Sequence, residues 1–407
     1  MTTGRPLSLY LHIPFCTLKC SYCDFNSYAG IESLMEPFVE AFIAEMRLWS
    51  PHLRERRVET VFFGGGTPSL LPLRDVARIM TALGESFELA PGAEVSFEAN
   101  PGTVDLAYLR GLLAAGVNRL SFGVQSFHDD ELAALDRIHS AEEAKEAYRW
   151  AREAAFHRIN LDLIYGLSEQ RLDRWQATLE QAIALAPEHL SLYALTVEEG
   201  TKLAHDIEHG RVPAPDGDVQ AEMYEWSSER LATAGYKQYE ISNWSRPGEE
   251  CRHNLVYWRN GDWLGLGPGA HSHLGGYRFA GVYSPKQYIE RVATTTPKRH
   301  GDDMGSLLKS MRQVGFVEEQ PLDTAMADTA ILGLRLNEGL DLPAFQKRFG
   351  RAVDDVFGAA LSEVAEFGLL EPENPGGRGA RLRLTPRGRL LANEVFVRLL
   401  PDPVANK

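Results

Sequence analysis

Cys16-Thr-Leu-Lys-Cys20-Ser-Tyr-Cys23 gathers three of the chain's four cysteines on one short stretch. It follows Ser8-Leu-Tyr-Leu-His-Ile13, whose alternating apolar pattern predicts a first strand. Pro14 removes a backbone donor and starts a loop. The three thiols therefore hang on a short loop at the C-terminal end of strand one.

The same pattern repeats along the chain. Strands are expected over 58–63, 93–99, 118–123, 158–164 and 189–195, each a short apolar run ending in polar or glycine-bearing residues. Helices are expected over 36–50, 73–87, 105–115, 141–155 and 172–185, from apolar residues at helical spacing. Strand followed by helix, about six times, argues for parallel strands with right-handed crossovers. The fold class is α/β: a partial (β/α)6 barrel, followed by a C-terminal domain that is helical and winged-helix-like. In such barrels the C-terminal strand edge carries the site. Cys16, Gly65, Glu98, Gln125 and Asp162 converge on that edge. Taken singly, each has a plain structural reading as a turn glycine, a helix cap or a satisfied polar group; their shared position favours a site.

Clustered thiolates hold iron–sulfur clusters, and three ligands to a cubane leave one iron free for a small chelating molecule. A zinc site is the rival and normally takes a fourth protein ligand; His12 is close in sequence but belongs to the strand. Three inert buried thiols are the remaining reading.

After the barrel half, 219–234 reads as a helix and 235–243 as strand-like. A second dense stretch follows, Cys251-Arg-His253-Asn254-Leu-Val-Tyr257-Trp258, then Trp263 to His273. His253 is a residue type that ligates haem iron, and Tyr257 and Trp258 are of the kind that flank a flat macrocycle. A packed aromatic corner around a hydrogen-bonded histidine fits the same residues. Cys251 reads as an ordinary thiol. Three units are expected: 1–293, a boundary segment over 294–321 with room for one short helix, and 322–407. The last unit shows helices over 323–337, 342–349 and 353–367, a basic hairpin with Arg378, Arg381 and Arg383, and a helix over 390–400.

The 407 residues carry a formal charge of −14, which argues against a large nucleic-acid footprint. Few, clustered cysteines point to a reducing, cytoplasmic setting rather than a disulfide framework. No apolar run is long enough to span a bilayer, and the start reads as no signal peptide.

The C-x3-C-x2-C spacing with Tyr22 before the last cysteine resembles the radical S-adenosylmethionine (SAM) superfamily. That resemblance implies a [4Fe–4S] cluster on Cys16, Cys20 and Cys23, with SAM on the open iron. Gly64-Gly65-Gly66-Thr67-Pro68 looks like the superfamily's GGxTP element. Similarity to coproporphyrinogen-type members implies SAM contacts at Tyr10, Gly65, Gly66, Thr67, Glu98, Gln125, Arg137 and Asp162, and backbone contacts near Ala194 and His271. His253-Asn-x-x-Tyr-Trp258 matches the HNxxYW signature of the HemW haem chaperones. The related oxygen-independent coproporphyrinogen III oxidase carries a fourth cysteine where Phe25 stands, and lacks HNxxYW. The resemblance implies haem binding through His253, Asn254, Tyr257 and Trp258, transfer to an acceptor such as a respiratory, membrane-associated enzyme, and cluster-dependent homodimers. It implies no nucleic-acid partner. A radical oxidase acting on coproporphyrinogen III is the alternative.

Overall fold

The computed structural model describes residues 6–296, 303–373 and 380–401. β1 (Leu7–Ile13) is buried on both faces, as a central parallel strand must be. A short parallel pair follows it, β2 (Phe15–Cys16) with β3 (Tyr28–Ala29), which closes the cysteine loop into a compact flap. Helix α1 (Met35–Leu53) then leads to β4 (Arg57–Gly65), α2 (Leu73–Ser86) to β5 (Glu88–Ala99), and α3 (Leu106–Ala114) to β6 (Arg119–Gln125). A short α4 (Asp129–Ala134) and α5 (Ala141–Glu153) precede β7 (Ile159–Tyr165), and α6 (Leu172–Leu185) precedes β8 (His189–Ala194). Local signals set the helix starts: Asp105 accepts the Tyr108 amide at α3, and Ser140 with Glu143 forms a reciprocal capping box at α5.

The chain continues through α7 (Lys202–Glu208), α8 (Gly217–Thr233), β9 (Lys237–Glu240), β10 (Asn243–Ser245), α9 (Arg252–Trp258) and β11 (Trp263–Leu266). Then come β12 (His271–Leu274), β13 (Tyr277–Gly281), α10 (Pro285–Ala293), α11 (Met304–Ser310) and β14 (Val314–Glu319). One twelve-stranded sheet has the order β14-β13-β12-β11-β1-β4-β5-β6-β7-β8-β10-β9. Its middle, β11-β1-β4-β5-β6-β7-β8, is parallel throughout, and the flanks are antiparallel. The six predicted β/α repeats are the parallel strands β1 and β4 to β8.

Two details of this body differ from the sequence reading. The run over 235–243 is a tight hairpin rather than one strand. The buried Glu240 carboxylate turns back to accept from the Ser242 amide and the Asn243 side chain, which reverses the chain between β9 and β10. The 294–321 segment, read as a boundary, feeds the main body. Leu307 and Leu308 of α11 enter its core, and β14 pairs with β13. Residues 297–302 of that segment lie outside the described residues.

The C-terminal unit has a core of its own around Met326, Leu334, Phe345, Val364 and Val395. Its order is α12 (Leu322–Arg335), β15 (Leu340–Asp341), α13 (Leu342–Phe349), α14 (Val353–Glu366), β16 (Leu370–Glu373) and β17 (Arg381–Leu384). The short α15 (Pro386–Leu390) and α16 (Ala392–Val397) close it, where one helix over 390–400 was expected. Three helices against the small antiparallel sheet β15-β17-β16 make a winged-helix-like arrangement. Arg378 of the basic hairpin lies outside the described residues.

Candidate functional site

The C-terminal ends of the parallel strands surround a cavity of about 430 Å³, within the range of small-molecule sites. Cys16, Cys20 and Cys23 line it from the flap, all three half-buried and none in a disulfide. Gly65, Gly66 and Thr67 line it from the end of β4, Glu98 from β5, Gln125 from β6, Asp162 from β7 and Ala194 from β8. Arg137 reaches in from the loop after α4. The two other expected contacts lie off this cavity. Tyr10 faces the barrel interior below, and His271 is exposed at the start of β12.

The glycines permit the close approach of flap and strand. Gly65 has φ +112°, and a Cβ there would stand 2.6 Å from the His12 ring. A Cβ on Gly66 would stand 2.6 Å from the Phe15 carbonyl oxygen and 3.1 Å from Cys16 Sγ. Thr67 Oγ1 lies 3.6 Å from the same sulfur. Gln125 takes a left-handed φ of +68° at a register shift between β6 and β7, a strained conformation for a non-glycine residue. Its Oε1 is buried with no hydrogen-bond partner among the described residues. Arg137 donates to the Gly123 carbonyl at 2.7 Å and toward Cys20 Sγ at 3.5 Å, and its buried Nε is likewise unpartnered.

These residues fit the groups that the resemblance implies. Three free thiols on one flap are a soft donor set suited to an iron–sulfur cluster. Unpartnered polar atoms of Gln125 and Arg137 stand in the wall where a polar cofactor would lie. Burial, and next the Asp162 charge, pushes the Glu98 carboxyl up to about 8. Glu98 also accepts from the Gly65 amide at 3.3 Å. Asp162 is held by Ser121 Oγ at 2.9 Å and Asn160 Nδ2 at 2.8 Å.

A second chamber of about 230 Å³ lies beneath, and shares Glu98, Ser121, Asp162 and Tyr193 with the upper one. His253, Asn254 and Tyr257 line it from α9. His253 is 1% exposed. Thr60 Oγ1 donates to Ser8 Oγ, so it accepts from His253 Nδ1 at 2.8 Å. The imidazole is then the Nδ1–H tautomer, and its Nε2 lone pair receives the Tyr257 hydroxyl at 2.9 Å. Burial pushes His253 down to about 3, so this ring is neutral at any physiological pH. Asn254 donates to the Tyr239 hydroxyl at 3.2 Å. Trp258 lies apart from the chamber, under the Arg335 guanidinium at 4.3 Å. Burial pushes the Cys251 thiol up to about 12, and it donates to Glu94 at 3.6 Å; it is an ordinary thiol.

Sequence reasoning missed Thr60, which orients His253, and Tyr193, which faces both chambers. Thr60 carries one available signal, as a polar residue that shares the inward face of its strand with Val58 while Arg57 and Glu59 point outward.

Comparison with known proteins bears on the family and the fold. Residues 10–182 match the model of the radical SAM superfamily, and 320–391 match that of the HemN C-terminal domain. The heme chaperone HemW of Mycobacterium tuberculosis is 40% identical over 402 residues, covering 98% of this chain and 95% of that one. HemW of Bacillus subtilis is 36% identical, covering 96% and 98%. Among solved structures, the coproporphyrinogen III oxidase HemN of Escherichia coli, a radical SAM enzyme, superposes with a TM-score of 0.81 at 26% identity, covering 97% of this chain and 90% of that chain.

Proposed function

Because this chain belongs to the HemW family of radical SAM proteins, we propose that it is a haem chaperone, which binds haem and passes it to an acceptor protein. The observation that carries the proposal is the state of His253. Its Nδ1–H is anchored to Thr60, which leaves Nε2 as the one basic nitrogen. A ligating histidine is normally oriented in this way, by a hydrogen bond from its other nitrogen. Tyr257 caps that lone pair, so iron would be taken up when the phenol gives way. Such a capped ligand suits a protein that must also release its cargo.

In this reading Cys16, Cys20 and Cys23 hold a [4Fe–4S] cluster. Gly65, Gly66, Thr67, Glu98, Gln125, Arg137, Asp162 and Ala194 surround SAM, with Tyr10 and His271 outside the first cavity. When bound, cluster and SAM together supply one-electron reducing chemistry. The protein's residues seat them. Arg137 keeps a positive charge beside the Cys20 sulfur, and Glu98 offers a carboxyl that ionises readily beside a cationic ligand. Asn254, Tyr257 and Trp258 complete the haem site with His253. The setting is the cytoplasm, with cluster-dependent homodimers and an acceptor that is respiratory and membrane-associated. Among the described residues no helix is long and apolar enough to cross a membrane.

The alternative, a radical oxidase of coproporphyrinogen III, draws on the same cysteine-lined cavity. Phe25 speaks against it. This residue occupies the place of the oxidase's fourth cysteine, and it stands 62% exposed at the cavity rim. The test is a haem titration of anaerobically reconstituted protein, followed in the Soret band. A 1:1 shift that weakens at least tenfold in His253→Ala is expected. Equal binding by His253→Ala would remove His253 from this account.

A further inference from the structure

The short helix α7 is two-sided. Leu203 packs inward among Leu135, Leu167 and Leu195, with Tyr22 and Ile207 against them. The Leu203 amide donates to the Ser21 carbonyl at 2.8 Å. Ser21 lies between Cys20 and Cys23, so α7 backs the loop that carries the cysteines. Thr201 caps the helix by accepting the Ala204 amide. Its outward residues His205, Glu208 and His209 line neither chamber.

Those three residues share one side of the last helical turn, at positions i, i+3 and i+4. A nitrogen of each ring and a carboxylate oxygen of Glu208 all lie within 4.8 Å of one another. The two imidazole centroids are 4.0 Å apart. Two histidines four apart on a helix have the spacing of helical zinc sites. A second observation concerns the tautomer. His209 Nδ1–H donates to the His205 carbonyl at 2.8 Å, so Nε2 is its basic nitrogen. Ligating histidines are ordinarily oriented in this way, by a hydrogen bond from the nitrogen that does not bind the metal. Lys202 and Arg211 pair with Asp206, which leaves Glu208 without an ion-pair partner among the described residues.

We propose that His205, Glu208 and His209 bind a divalent transition-metal ion on the outer face of α7, and that the bound ion braces the cysteine flap. Two imidazoles and one carboxylate are a donor set that suits Zn²⁺, and in a site open to solvent water completes the tetrahedron. The negative end of the helix macrodipole adds to the attraction. At seven residues α7 is too short to be a stable helix by itself. An ion that ties His205 to His209 across the last turn holds the helix wound, and with it the Leu203 contact to Ser21. The site is separate from the cysteine set, which faces the cavity, and it involves no step of haem handling.

Zinc binding would be measured by equilibrium dialysis on the anaerobically reconstituted full chain, in wild type, His205→Ala and His209→Ala. Wild type should hold one zinc ion per chain that both variants bind at least tenfold more weakly. All three proteins carry the same cysteines, so this difference belongs to α7 however fully the cluster is loaded. Both substitutions are at exposed positions, and equal iron per chain in the three proteins would show that the fold is kept. Hydrogen exchange at the Leu203 amide, whose acceptor is Ser21, should slow at least threefold when wild type is saturated with zinc. Equal zinc binding by wild type and both variants would overturn the site. Zinc bound at the site with Leu203 exchange unchanged would overturn the brace.

Discussion

Residue by residue, the chemistry of the two chambers turns on which groups hold protons and lone pairs. Tyr257 competes with any metal for His253 Nε2. Tyr257→Phe removes that competitor and should tighten haem binding about fivefold, the worth of one hydrogen bond of about 1 kcal/mol. A titration of the variant beside wild type measures it, and weaker binding would mean that Tyr257 helps to hold haem rather than to guard its ligand. Glu98 makes a prediction in pH. Its folded value of about 8 lies above its ordinary 4.5, with burial as the main cause. The native state therefore binds a proton that the unfolded chain gives up. Stability from this group is complete below pH 4.5 and is lost as pH rises toward 8. SAM-free protein should lose roughly 2–4 kcal/mol over that window, and Glu98→Gln should flatten the slope. Thermal unfolding at a series of pH values would show it; parallel slopes in the two proteins would contradict the assignment.

Among the elements, the junction of flap and β4 is the most exacting. The flap crosses β4 where Gly65 and Gly66 leave no room for a side chain. Gly66→Ala would press a methyl against the Phe15 carbonyl and toward Cys16 Sγ, at a cost of about 1–3 kcal/mol. The cysteines would be displaced with it, so iron per chain after reconstitution should fall by at least half while the helical signal persists. Full iron loading in Gly66→Ala would mean that the flap adapts freely. This junction was legible in the sequence, because strand one, the thiols and the glycine run are each local patterns and parallel order brings them together. Gln125 was legible for the same reason, as the polar end of an apolar strand, and Asp162 as a charged residue inside one. α9 was not. It is seven residues long and has too few turns to show an apolar period. Its identity as a helix rests on Glu94, from β5, which accepts the Arg252 and His253 amides at its start. The hairpin at Glu240 was hidden because its turn is made by a side chain, the Glu240 carboxylate accepting from Ser242 and Asn243, and β11 because its parallel partner β1 is distant in sequence.

Over the whole molecule, a barrel and a smaller domain meet at a polar seam, and each has its own apolar core. The winged shape of the second domain does not make it a DNA reader. On the wing, Arg383 pairs with Glu371 at 2.8 Å and Arg381 with Asp341 at 3.3 Å, so these cations are already matched. With a formal charge of −14, the chain should show no retention of a labelled duplex at physiological salt. A salt-dependent rise in anisotropy would contradict that. On the proposed function, the cysteine-lined cavity serves haem handling and not porphyrinogen oxidation. The most direct measurement gives anaerobically reconstituted protein SAM, a reductant and coproporphyrinogen III, and follows the porphyrin by mass, with a haem titration of the same preparation. The account predicts one haem bound per chain and a porphyrinogen that keeps all its carboxyl groups. Loss of carbon dioxide from the propionates, with 5′-deoxyadenosine formed in step, would make this protein an oxidase despite Phe25.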